Sequence, residues 1–185
     1  MKFNMNLNLN MNLPNKLTML RIILIPFFML FLLTGHWYIS AGIFIAASIT
    51  DTLDGFIARR YNLITNFGKI MDPLADKLLV FSALLCLIQL DAVPAWMVVI
   101  ILARELLIVS LRAVAASQGI VIAASWWGKL KTISQMAAVI LILIRNWPFG
   151  PDGFPLATIV LWIAVILTVI SGVDYIIKNR KVFEG

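Results

Sequence analysis

The residues of this chain best suited to chemistry are aspartates. Asp51 and Asp54 sit in "DTLDGFIARR", directly after the apolar run "WYISAGIFIAASIT", and Asp72 and Asp76 sit in "IMDPLAD", at the head of the next apolar run. Carboxylates at the edge of a membrane-like segment are costly, face a bundle interior or a watery cavity, and are functional by default. At about 100° per residue, Asp51, Asp54, Gly55, Ala58 and Arg59 share an arc of roughly 140° on one helix face. That face offers two carboxylates, a guanidinium and two small residues that let a bulky group approach the backbone. Asp72 and Asp76 are four apart and share a face if the segment is helical. With Pro73 at the first helical position, Asp72 is instead the N-cap. Either way both stand near the start of the third helix.

Carboxylates gathered at one depth repel and cannot all stay ionised unaided. Divalent cations resolve the conflict. An oxygen-only set with no Cys or His nearby favours Mg²⁺, Mn²⁺ or Ca²⁺ over zinc. The four carboxylates suffice for two ions, an arrangement suited to clamping the attacking and leaving oxygens of a phosphoryl-type transfer. The plainer alternative is a set of Asp–Arg pairs that only fix helix packing. It accounts for one such carboxylate more readily than for four beside a glycine-bearing face.

The elements that must position these groups are set by composition. The 185 residues are 62% hydrophobic and 13% charged, with a mean hydropathy of +0.97. Soluble domains run about 45–50% apolar and about 25% charged. The expectation is an all-α polytopic membrane protein. Apolar runs cover roughly 14–34, 37–59, 71–90, 93–116, 127–146 and 156–178, each near the ~20 residues of a spanning helix. Hydrocarbon requires internally satisfied backbone, which selects helices over strands. The breaks, "NWPFGPDGFP" most clearly, carry the Gly, Pro, Asn and Asp of turns. Residues 1–13 read as an Asn-rich leader, interfacial or disordered, and 14–185 as the transmembrane domain. Cys86, the one cysteine, reads as a buried, inert thiol. No cleavable signal peptide is expected.

Lys and Arg give the orientation. With the N-terminus in the cytoplasm, Lys2, Lys16, Arg59, Arg60, Lys69, Arg112, Lys129, Lys131, Lys178, Arg180 and Lys181 all fall at or near the inner side, and Arg145 clearly outside. Both termini are then cytoplasmic. The net charge of +6 follows from this bias and calls for no nucleic-acid partner.

The run "DTLDGFIARRYNLITNFGKIMDPLAD" is D-x2-D-G-x2-A-R-x8-G-x3-D-x3-D without departure. It resembles the signature of the CDP-alcohol phosphatidyltransferases. The segments "LPNKLTMLRIILIPFF", "ARELLIVSLR", "GKLKT" and "SGVDYI" resemble the bacterial branch that makes phosphatidylglycerophosphate. The resemblance implies two Mg²⁺ or Mn²⁺ ions on Asp51, Asp54, Asp72 and Asp76, with Asp76 also the general base. It implies that Gly55, Ala58, Arg59 and Gly68, with Asp54, bind the CDP part of CDP-diacylglycerol, and that Asn15 and Thr18 lie near it. It further implies a homodimer in the bacterial cytoplasmic (inner) membrane, with the site on the cytoplasmic side.

The acceptor needs its own anion site. Arg104 and Arg112 lie about 80° apart around one helix, and Lys129 and Lys131 open the next on the same side. Arg offers phosphate a bidentate fork and Lys a point charge. This group suits sn-glycerol 3-phosphate, as the resemblance also implies. Glu105 is expected to orient an arginine from another helix, and Arg21 either to join the site or to snorkel to the headgroups. The expected reaction transfers a phosphatidyl group to glycerol 3-phosphate and releases CMP. Rivals keep the chemistry with phosphatidylglycerol or inositol phosphate as acceptor, or make the chain a divalent-cation transporter. A transporter would spread its carboxylates across the membrane depth, whereas these cluster near one face.

Overall fold

The computed structural model describes residues 13–60, 65–120, 122, 123 and 125–183, with side chains described for these apart from 13, 14, 52–60, 66, 69, 181 and 183. The Asn-rich leader up to residue 12 lies outside them, as do the side chains of Asp54, Gly55, Ala58 and Arg59. The described residues form six α-helices and no strand: α1 (Leu13–Leu33), α2 (Trp37–Arg60), α3 (Asn66–Gln89), α4 (Ala95–Ser117), α5 (Trp126–Leu143) and α6 (Leu156–Lys178), followed by a short 3₁₀ turn at Arg180–Phe183.

Local chemistry sets the helix ends. The Thr65 hydroxyl accepts a hydrogen bond from the Gly68 amide at 3.0 Å, an N-cap bond to the third helical residue. This cap starts α3 five residues before the apolar run expected from 71. Asp72 is therefore inside the helix, and Pro73 is interior rather than at the first position. Asp72 and Asp76 thus belong to one continuous helix. Ser125 caps α5 in the same way, its hydroxyl accepting from the Gly128 amide at 3.1 Å. Pro94 precedes α4 in extended conformation, and Gly119, at φ +73°, lets the chain leave it.

The chain divides into two compact units, residues 1–82 and 83–185. In the first, α1 packs along α2, with Phe28 and Phe44 buried and their rings 5.8 Å apart. In the second, α6 packs against both α4 and α5. Small and branched residues line the buried positions of α5 and α6, among them Ala138, Val139, Ala157, Ala164 and Val165. Trp96 of α4 meets Trp162 of α6 at 5.4 Å.

The distribution of polarity runs opposite to that of a soluble protein. Large apolar side chains point outward, such as Leu20, Phe27 and Leu30 on α1, Val99 and Leu106 on α4, and Trp162, Ile166 and Ile177 on α6. Asn15, Thr18, Arg21, Glu105, Lys131, Gln135, Thr168 and Ser171 are buried. Among the described residues, two helices, at Asn15–Leu33 and Leu156–Lys178, are long and apolar enough to cross a membrane, with only 28% and 33% of those stretches buried. A core helix of a soluble domain would hide most of that surface. This is the build of a membrane protein.

The α5–α6 connection hangs on one side chain. Asn146 is buried, and its Nδ2 donates to the carbonyls of Gly150 at 2.8 Å and Phe154 at 2.7 Å. Its Oδ1 accepts from the Ala157 amide at 3.0 Å, at the start of α6. Its φ of +58° is one that Asn tolerates better than most residues. Asn146→Ala removes three hydrogen bonds. At roughly 1 kcal/mol each, the expected loss is about 2–3 kcal/mol, read as a lower thermal unfolding midpoint in detergent.

Candidate active site

In the first unit, α1 supplies the side chains that hold two of the signature aspartates. Arg21 is fully buried, and its guanidinium pairs with Asp51 Oδ1 at 2.7 Å. Its Nε donates to the Ala47 carbonyl at 3.3 Å. Arg21 therefore does not snorkel. It lies two turns inside α1 and delivers a cation to α2, because a guanidinium shut away from water needs a carboxylate and a carbonyl to replace its hydration. Thr18, one turn earlier, donates its hydroxyl to Asp72 Oδ1 at 2.5 Å. Asn15, a further turn back, accepts from the Thr65 hydroxyl at 3.0 Å. The spacing of Asn15, Thr18 and Arg21 puts all three on one stripe of α1.

Gly68 lies in this neighbourhood. A Cβ there would meet Asn15 Oδ1 at 3.2 Å and Asp72 Oδ2 and Thr65 Oγ1 at 3.3 Å. A glycine is what lets Thr65 and Asn15 close over the start of α3. Asp76, one turn beyond Asp72, is less enclosed: its side chain is 44% exposed, with the Lys77 ammonium at 3.6 Å. It is accessible to an incoming group, whereas Asp72 is held.

The donor chemistry suits a hard divalent cation. The carboxylates are oxygen ligands, and two already have a partner fixing one oxygen, as metal-binding carboxylates do. Among the described residues, no three Asp, Glu, His or Cys side chains form a cage on their own. Asp54, the fourth aspartate of the motif, has its side chain outside them.

In the second unit, the cations expected to bind an anion fall into three settings. Arg104 and Lys131 converge on Glu105: Arg104 Nη1 donates to Glu105 Oε1 at 3.1 Å and Lys131 Nζ to the same oxygen at 2.5 Å. Glu105 thus orients its own neighbour and a lysine of α5. Arg112 donates through Nε to the buried Tyr175 hydroxyl at 2.7 Å. Lys129 is exposed, with its ammonium 5.8 Å from the centre of the Trp126 ring. Arg104 Nε likewise donates to an α6 oxygen, Ser171 Oγ, at 3.1 Å. The partner numbers rise together, so α4 and α6 run parallel, as alternate members of an up-and-down chain must.

With both groups of side chains in place, the chain can be set beside known proteins. The family model for CDP-alcohol phosphatidyltransferase matches residues 11–170. The chain belongs to that family. It is therefore an enzyme, a phosphatidyltransferase. A Bacillus subtilis protein named CDP-diacylglycerol–glycerol-3-phosphate 3-phosphatidyltransferase is 48% identical, across 93% of this chain and 97% of its own length. A Mycobacterium tuberculosis protein named probable phosphatidylglycerophosphate synthase is 43% identical over 94% of this chain and 84% of its own. A Haemophilus influenzae protein with the same name as the Bacillus one is 38% identical over 95% and 93%.

Several side chains built into these groups lie outside the fixed positions of the aspartate motif: Thr65, Ser171 and Tyr175. Thr65 had a signal in sequence, a threonine three residues before Gly68 at a helix start. Ser171 and Tyr175 lie in "SGVDYI", but nothing in their spacing names their partners, which lie 67 and 63 residues away. Removing one partner of a fully buried ion pair costs about 3–5 kcal/mol. Asp51 is 37% exposed, so water recovers part of that for Arg21→Met. The expected loss is about 1–3 kcal/mol, measured by thermal unfolding, with the double variant Arg21→Met, Asp51→Asn less destabilised than the single one.

Proposed function

We propose that the chain transfers the phosphatidyl group of CDP-diacylglycerol to sn-glycerol 3-phosphate, giving phosphatidylglycerophosphate and CMP. The observation that carries this reading is likeness over nearly the whole chain to proteins named for that reaction. The intact aspartate motif and the buried Arg104–Glu105–Lys131 group support it.

In this reading all six helices cross the bacterial cytoplasmic membrane, both termini are cytoplasmic, the site opens to that side, and two copies form a homodimer. Asp51, Asp54, Asp72 and Asp76 hold two divalent cations, Mg²⁺ or Mn²⁺. When bound, these neutralise the diphosphate and make CMP a better leaving group. Arg21 holds Asp51 turned to the site, and Thr18 does the same for Asp72. Asn15 fixes Thr65 over Gly68 at the start of α3, and Gly55, Ala58, Arg59 and Gly68 bind the CDP part of the lipid. The more exposed Asp76 takes the proton from the acceptor hydroxyl as that oxygen attacks phosphorus. Arg104 and Lys131 bind the acceptor phosphate, with Arg112 and Lys129 contributing charge around it. Their cationic character favours a phosphorylated acceptor over phosphatidylglycerol's uncharged glycerol end.

The test is CMP release by purified protein in detergent, with CDP-diacylglycerol, Mg²⁺ and one acceptor at a time. Glycerol 3-phosphate is expected to support release, and phosphatidylglycerol and inositol phosphate are not. Asp76→Asn is expected to lose about 100-fold or more in kcat. Release with another acceptor alone would overturn the acceptor, and full activity in Asp76→Asn would overturn the base.

A further inference from the structure

The group on Glu105 is more than an ion pair. Lys131 is 1% and Glu105 6% exposed, and the Arg104 side chain is 12% exposed. A buried ion pair is a weak way to gain stability, since apolar side chains of similar size fill the space at no desolvation cost. Its value lies in geometry. One oxygen, Glu105 Oε1, accepts from both cations. That holds Lys131 Nζ and Arg104 Nη1 no farther apart than the two bonds laid end to end, a gap one phosphate group can span.

Arg104 is fixed on its other sides as well. Its Nε is taken by Ser171 Oγ at 3.1 Å. A Cβ on Gly172 would stand 3.3 Å from its Cγ, and one on Gly128 3.3 Å from Nη2. The arginine thus lies in a slot between α5 and α6 where two glycines give it room. Among the described residues, no protein acceptor takes the two N–H donors of Nη2. A guanidinium held by Nε and Nη1 with its remaining edge uncommitted is a preset phosphate donor.

We propose that Glu105 is a positioning residue of the acceptor site. It touches no substrate, and it sets the Lys131 ammonium and the Arg104 guanidinium to receive the phosphate of the acceptor together. The proposal rests on the reading of this chain as a transferase to a phosphorylated acceptor.

The test compares Glu105→Gln, Glu105→Asp, Lys131→Met and the double variant Glu105→Gln, Lys131→Met, each assayed for KM of glycerol 3-phosphate, KM of CDP-diacylglycerol and kcat. In Glu105→Gln the KM for glycerol 3-phosphate is expected to rise about 10-fold or more, with the KM for CDP-diacylglycerol within about twofold of wild type. Glu105→Asp, which keeps the charge on a shorter arm, is expected to fall between the two. In the Lys131→Met background, Glu105→Gln is expected to add less than its effect alone, because it acts through that lysine. An unchanged KM for glycerol 3-phosphate in Glu105→Gln would overturn the proposal, as would an equal rise in both KM values. If Glu105→Gln does not fold, Glu105→Asp decides by the same split. Wild-type protein that releases no CMP with glycerol 3-phosphate would instead sink the functional reading, and this proposal with it.

Discussion

The structure depends on the cost of keeping charges ionised inside apolar helices. Arg21, Glu105 and Lys131 are all buried on helices whose outer faces carry Leu, Ile, Val, Phe and Trp. None of them is tolerable alone. Each therefore commits two helices to each other: Arg21 ties α1 to Asp51 of α2, and Glu105 ties α4 to Lys131 of α5. Hydrophobic burial alone does not select helix partners in a bilayer, because lipid tails are as apolar as leucine. Small-residue packing brings the helices close, and the buried ion pairs and side-chain hydrogen bonds fix their register.

The same pairs prepare the chemistry. A carboxylate already held by a guanidinium or a hydroxyl loses little freedom when a ligand arrives, which is the essence of preorganisation. Thr18 on Asp72 and Arg21 on Asp51 do this for the acidic group. Ser171 and Tyr175 do it for Arg104 and Arg112. The α4 arginines each give Nε to an α6 oxygen, so the parallel pairing of α4 and α6 sets both guanidiniums.

Much of this was legible in the sequence. The helices follow from apolar runs and their Gly, Pro and Asn breaks, and most ends fall within a few residues of the runs. The start of α3 did not follow, because "TNFGKI" is too polar to read as part of a span. The Thr65 cap decides it locally. The aspartate motif was legible because its members lie within one stretch of chain and their type is costly there. The company those aspartates keep was not. Nothing in the spacing of Thr18 and Asp72, 54 residues apart, says that they meet. The two lysines of the expected acceptor site were alike by charge and side. Burial separates them, putting Lys131 on Glu105 and leaving Lys129 over Trp126. The roles of Gly128 and Gly172 emerge only once the Arg104 side chain is placed between them.

The proposed chemistry requires the aspartates of α2 and α3 to hold divalent cations. The most direct measurement is Mn²⁺ bound per chain, followed by loss of the free-ion paramagnetic resonance signal as purified protein is titrated without substrate. Saturable uptake approaching two ions is expected, competed by Mg²⁺ and lost in Asp72→Asn, whose fold is checked by its unfolding midpoint. Uptake no greater in wild type than in that variant, together with CMP release that persists in excess chelator, would contradict it.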